Sequence, residues 1–375
     1  MRICVINTGG TMSCVGQPLA PMPAGRFAEA AQRLLCPSIR AALPDAALHF
    51  DTELRFDSPT GTLDSSEVRP VDWCRMAARI LDLAPDFDAF VIVHGTDTMD
   101  FTGAALPFLL NAFDAEGHLA ARVGKPVVLT GSQLPLFRDT PDGLVLNARS
   151  DGFGNLCGAI QAALLGIPEV TIFFDGKLLR GCRALKVSTQ DFAAFDSPHQ
   201  APLARAGIDF TFTVDAMPVA TRDLAVVRAQ LQAIRDGLPA HPVVQLPAVP
   251  LDRGGLMAGM IDDLVARGVK GIVLTGFGAG NIPADGGQTA EAIQRADAAG
   301  VLVMIASRSI RGTVGDFIYA SGAWIGRTGA VPGGDTTPVA LVAKAAILLA
   351  AANDRGWDFA TVKRLMARGL VGERG

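Results

Sequence analysis

The chain has 375 residues, is 49% hydrophobic and 19% charged, and carries a formal net charge of −4. That length suits two domains, and the apolar content excludes a disordered chain. With no basic block, nucleic acid and acidic membrane surfaces are excluded as natural partners.

Met1-Arg2-Ile3-Cys4 runs straight into a strand, with no long apolar leader or cleavage site. "RICVINTGG" reads as a strand ending in a glycine turn, with Thr11 just beyond. Paired glycines allow a tight turn and close approach to the backbone; the threonine is either a turn residue or a strand-end nucleophile. The next stretch, "MSCVGQPLAPMPAGRF", has the Pro and Gly content of a lid loop. "TLDSSEVRPVDW" places Ser65 and Ser66 ahead of a helix, with Glu67 in its first turn. Such serines cap the helix, or they offer a hydroxyl and backbone N–H groups to a carboxylate.

"FDAFVIVHGTDTMDF" gives a buried strand, then a turn holding Thr96 and Asp97, and "TGAALPFLLNAF" a helix. Asp97 serves as a cap, or its carboxylate holds an ammonium group. "KPVVLTGSQLPL" is again strand then turn, "NLCGAIQAALLG" a helix, and "EVTIFFDGKLLRG" strand, turn and strand. In "RALKVSTQDF", Lys186 stands between Leu185 and Val187. It snorkels to the surface, or it is buried near Asp97 and acts as a base. Residues 199–223, with Pro202 and Pro218, read as an interdomain connection with one strand in "IDFTFTV".

From "LAVVRAQLQAIRDG" to "PVALVAKAAILLAAAN" the strand–helix rhythm returns. The prediction is therefore α/β: a large N-terminal parallel-sheet domain over 1–198, the connection at 199–223, and a smaller C-terminal α/β domain over 224–375. Ligands of such sheets sit beyond the carboxyl ends of the strands, so the turns at 8–11, 94–98 and 130–133 should converge on one crevice. The run containing Lys344 is too short, and too charged, to span a bilayer. Six cysteines show no CxxC and no zinc spacing with the five histidines, which predicts free thiols in a reducing compartment, the cytoplasm. "TGFGAGNIP" lacks the dinucleotide-binding spacing, and no Walker A, HExxH or GxSxG with a placed histidine occurs.

"NTGGTMS", "VIVHGTDTMDF" and "LKVSTQDFAAFDSP", in this order, resemble the bacterial-type L-asparaginase family. "LDSSEVRPVDW", "VVLTGSQLPL", "RSDGFGNL", "GFGAGN" and "VPGGDTTPVALVAK" extend the likeness over nearly the whole chain, and the "TGSQ" turn is nearer the cytoplasmic type I branch. The resemblance implies hydrolysis of L-asparagine to L-aspartate and ammonia, with weaker action on L-glutamine, by a homodimer or homotetramer needing no metal or organic cofactor. It implies Thr11 as nucleophile, Thr96, Asp97 and Lys186 as a second catalytic cluster, and Ser65 on the substrate carboxylate, with Ser66 as the alternative. Gly95, Ser132 and Gln133 would line the pocket. Asn281 would reach a neighbour's site or help form an effector site.

The family places a tyrosine in the loop after the first threonine; none stands there here, and the chain's one tyrosine is Tyr319. Nor does the glutamate of the periplasmic members occur in that C-terminal region. Three readings stay open: another group activates Thr11, Tyr319 reaches the site, or the enzyme is slow or tuned to another amide. Two further functions share the motifs: the amidase part of a tRNA-dependent amidotransferase, and an amino-acid sensor without turnover.

Overall fold

In the computed structural model, residues 1–213, 222–315, 317 and 319–375 are described. The chain divides into two compact units, 1–111 with 121–228, and 112–120 with 229–375.

The first unit is built on an eight-stranded sheet. Its order is Thr211–Phe212, Ala204–Arg205, Lys177–Arg180, Val170–Phe174, Val127–Thr130, Ala89–Val93, Arg2–Asn7, Ala47–Asp51. The last five pair in parallel. The Ala89–Val93 strand, AFVIV, is buried at every position, because helices cover both faces of a parallel sheet. Each large side chain so buried contributes ~1.5–3 kcal/mol relative to leaving it exposed.

The other edge is antiparallel. There "FDGK" closes a two-residue hairpin, with Asp175 at φ 47° and Gly176 at φ 72°. These are the positive angles that a type I′ turn requires. Ala204–Arg205 and Thr211–Phe212, from the segment predicted to connect the domains, extend this edge. Positions 214–221 of that segment lie outside the described residues.

The second unit has a four-stranded, all-parallel sheet: Val243–Pro247, Gly271–Gly276, Leu302–Ser307, Val331–Pro332. Residues 112–120 join it although they interrupt the first unit in sequence. Their carbonyls and amides are tied there: Arg355 donates to the Phe113 carbonyl, Trp357 Nε1 to that of Ala115, and Gln230 accepts from Phe113 N–H. In the same unit Lys344, fully buried, holds Glu373, also fully buried, at 2.6 Å. It also donates to the carbonyls of Met366 and Arg368.

Candidate active site

Four turns at the carboxyl end of the first unit's sheet are locked to one another. Thr8 donates both its backbone N–H and its hydroxyl to the Val93 carbonyl. Gly10 N–H reaches the Leu63 carbonyl, and Leu63 N–H returns to that of Thr8. His94 N–H donates to the Thr130 carbonyl. Asp97 N–H donates to Ser65 Oγ at 3.2 Å, and Thr98 Oγ1 to the Ser65 carbonyl at 2.6 Å.

Glycine makes this fit possible. Gly10 has φ 73°, and a methyl built on it would lie 2.1 Å from the Gly95 Cα. A methyl on Gly95 would lie 2.4 Å from Ser65 Oγ, and one on Gly131 2.5 Å from the His94 carbonyl oxygen. No Cβ can be accommodated at such separations, so backbone abuts backbone. Thr11 and Thr96 each follow one of the two abutting glycines.

Lys186 joins this cluster from the two-residue strand Leu185–Lys186. Its Nζ donates to Thr96 Oγ1 at 2.8 Å and to Asp97 Oδ1 at 2.6 Å. The lysine side chain is 15% exposed, whereas that of Asp97 is 61% exposed and opens to solvent. The lysine side chain thus does not snorkel outward but spans the threonine and the aspartate.

The two serines separate clearly. Ser65 is buried against Gly95 and Asp97 N–H; Ser66 is exposed and donates to Asp64. The α-helix predicted to follow them directly starts only at Pro70. Ser65–Glu67 form a single 3-10 turn capped by Asp64, so Glu67 is not in the helix's first turn.

Ser132 is buried and donates to the Leu134 carbonyl at 2.6 Å. Gln133 spends its side-chain N–H groups on the carbonyls of Ser188 and Asp191, tethering the loop after Lys186. Asn281 belongs to the second unit, where it exchanges backbone bonds with Phe277 and its side chain accepts from Ser321. Tyr319 is also in the second unit and is 61% exposed. The stretch predicted as a lid forms a short antiparallel pair, Cys14–Val15 with Ala20–Pro21, and its last part starts the helix Ala24–Leu34.

Four contributors escape sequence reasoning. His94 is buried, and since a carbonyl can only accept, its Nδ1 donates to the Gly95 oxygen at 2.7 Å. Its Nε2 then accepts from Thr102 Oγ1 at 2.9 Å. Burial pushes this imidazole down to about 4, which keeps it neutral. Asp100, buried in the first turn of the helix Met99–Leu109, accepts from Lys186 N–H at 3.1 Å and Phe101 N–H at 3.0 Å. Burial raises its carboxyl to about 6, against the pull of those N–H groups. Asp151 accepts from the N–H groups of Gln133 and Leu134, and Asn155 donates to both Asp151 and the Gly131 carbonyl. Only the last pair left a signal, in "RSDGFGNL"; His94 and Asp100 look like a strand end and an ordinary helix-start acid.

A family model described as Asparaginase, N-terminal, matches residues 2–217. A second, the Glutaminase/Asparaginase C-terminal domain, matches 254–366. L-asparaginase 1 of Escherichia coli is 32% identical over 374 residues, 99% of this chain and 97% of that protein. The chain belongs to the asparaginase family. Solved asparaginase structures agree. The thermostable L-asparaginase of Thermococcus kodakarensis superposes with a TM-score of 0.76 at 26% identity, covering 100% of this chain and 99% of the other. L-asparaginase I of Vibrio cholerae gives 0.72 at 28%, with coverage of 100% and 99%. The asparaginase fold expected from the motifs, a larger parallel-rich α/β part and a smaller parallel one, is the fold observed. Among the described residues no helix of this asparaginase-family chain is long and apolar enough to cross a membrane.

Proposed function

We propose that the protein hydrolyses the side-chain amide of L-asparagine, releasing ammonia and L-aspartate. The observation that carries this reading is the Lys186 bridge between Thr96 Oγ1 and Asp97, beside the glycine contact that joins the turns of Thr11 and Thr96. An amide is a poor electrophile with a poor leaving group, so it needs both an activated hydroxyl and stabilisation of the developing oxyanion.

Thr11 Oγ1 attacks the amide carbon; the carbon–nitrogen bond breaks, and the nitrogen leaves as ammonia with the proton taken from the threonine. An ester to Thr11 remains. Water, oriented by Thr96 with Lys186 as its proton partner, cleaves that ester and returns the hydroxyl. Asp97, with one oxygen on Lys186 and its side chain open to solvent, holds the substrate ammonium. Ser65 Oγ already accepts from Asp97 N–H, so its own proton is free for the substrate carboxylate. Ser66, committed to Asp64, is the poorer candidate. Gly95, Ser132 and Gln133 shape the pocket floor, and Asn281 serves a neighbouring subunit or an effector. Since the stretch from Met12 to Phe27 has no tyrosine, the proton of Thr11 reaches the leaving nitrogen by way of a group other than a tyrosine of that loop.

The likeness to the type I relatives supports a cytoplasmic enzyme, and we propose that it assembles as a homodimer or homotetramer. The test is ammonia release from L-asparagine by the purified protein, compared with Thr11→Ala. The wild type should turn over and the variant should bind without turnover; equal rates in both would remove Thr11 as nucleophile.

A further inference from the structure

The strand that carries Lys186 is two residues long and, among the described residues, pairs only with Phe195–Asp196, apart from the main sheet. Its ladder continues through Val187 N–H, which donates to the Ala194 carbonyl. In an antiparallel ladder alternate N–H groups face away from the partner, and that of Lys186 does so. Left unpaired in this half-buried place, it would cost free energy and leave the strand free to rotate. Asp100 Oδ2 takes it at 3.1 Å.

Asp100 is 6% exposed, and no ion pair to it is present among the described residues. Its hydrogen bonds come from backbone N–H groups, and burial outweighs both these and the more distant Lys186 charge, so the ionised carboxylate is a net cost to the fold. Features that cost stability and persist gather at functional sites. The same seven-residue stretch, 94–100, thus grips Lys186 at both ends. Thr96 and Asp97 hold the ammonium, and Asp100 holds the backbone behind it.

We propose that Asp100 is a positioning residue: it fixes the backbone of Lys186 so that Nζ meets Thr96 and Asp97 together. The inference rests on the reading of Lys186 as proton partner. Asp100 does not touch substrate, so its loss should lower kcat and spare KM.

The experiment measures kcat and KM for ammonia release from L-asparagine, using the full-length protein and four variants. Asp100→Ala and Asp100→Leu cannot accept the N–H; Asp100→Asn retains one accepting oxygen; Lys186→Met tests the lysine itself. Leucine fills the site with an apolar side chain of similar length, so it covers the case in which alanine does not fold. Both non-accepting variants should lose about 10²-fold in kcat, as for a displacement of ~1 Å, with KM within about threefold of wild type. Asn should restore kcat to within about fivefold. The proposal is overturned if Lys186→Met is impaired while the folded Ala or Leu variant keeps wild-type kcat. It is equally overturned if Asn is as slow as Leu, or if the loss lies in KM alone. Wild-type kcat in Lys186→Met would instead defeat the reading of the lysine, whatever Asp100 does.

Discussion

Lys186 and Lys344 stand in similar sequence surroundings, one between Leu185 and Val187 and the other between Ala343 and Ala345, and each holds a carboxylate at 2.6 Å. Their settings differ in what is left over. Around Lys344 everything is closed: both partners are fully buried, two carbonyls take further donor capacity, and Glu373 accepts from Leu370 and Val371 N–H. Around Lys186 the partner carboxylate is largely exposed and a hydroxyl is included. A saturated buried pair fastens the chain, here the C-terminal segment. An open pair keeps capacity for a third molecule, which is what chemistry requires.

The widest separation between the two should come from removing each ammonium. Lys186→Met should lower kcat by about 10²–10⁴-fold, the usual worth of a positioned proton-transfer group, and leave the unfolding midpoint nearly unchanged. Lys344→Met should do the reverse. It strands Glu373 as a buried unpaired charge, at a cost of about 3–5 kcal/mol in urea unfolding, with kcat per folded molecule unaltered. A slow but fully stable Lys344→Met protein would erase the distinction.

Asp97→Ala comes next. On the proposed reading it removes the partner of the substrate ammonium, and it removes one of the two acceptors of Lys186 Nζ among the described residues, so kcat/KM should fall by about 10²–10³-fold, divided between both constants. Steady-state kinetics on L-asparagine measure this; unchanged KM would argue against an ammonium-holding role.

Smaller effects belong to pH. The Asp100 carboxyl titrates near 6 in the folded protein and near 4 when unfolded, so the native state binds the extra proton between those values. Its contribution therefore lowers stability as pH rises from about 4 to about 6, by ~3 kcal/mol. His94 has the opposite sign: held at about 4 in the fold against 6.5 unfolded, it withdraws stability as pH falls from about 6.5 to about 4. Asp100→Asn should thus be more stable than wild type at pH 8 by ~2–3 kcal/mol and similar to it at pH 4, and it should lose stability more steeply on acidification. Urea unfolding at the two pH values checks this; identical curves at pH 8 would contradict the burial cost assigned to Asp100.

The smallest contrast is between neighbouring serines. Ser65→Ala should raise KM about tenfold, the worth of one buried hydrogen bond, and the exposed Ser66→Ala should change it less than about twofold. A larger effect at Ser66 would exchange their roles.

Much of this was legible before the structure. Strands ending in Thr-Gly or His-Gly-Thr turns announce themselves because apolar β-branched runs stop abruptly at glycine, and "DG" between two apolar runs specifies its hairpin directly. The pairing of Lys186 with Thr96 and Asp97 was legible only through motif order, because 90 and 89 residues separate the partners. Asp100 was not legible: its role depends on which way a two-residue strand presents its N–H. The membership of 112–120 in the second unit was hidden likewise, since it rests on Gln230, Arg355 and Trp357 far along the chain. Ser65 and Ser66 look alike in sequence; burial of one against Gly95 distinguishes them.

The close approach of Gly10 to Gly95 has a consequence for how such an enzyme can diversify. With main chain resting on main chain, the gap between the two threonine-bearing turns acts as a fixed ruler that no side-chain replacement can lengthen. Selection between a shorter and a longer amide must therefore be adjusted at the rim, by whatever fills the space around the far end of the substrate.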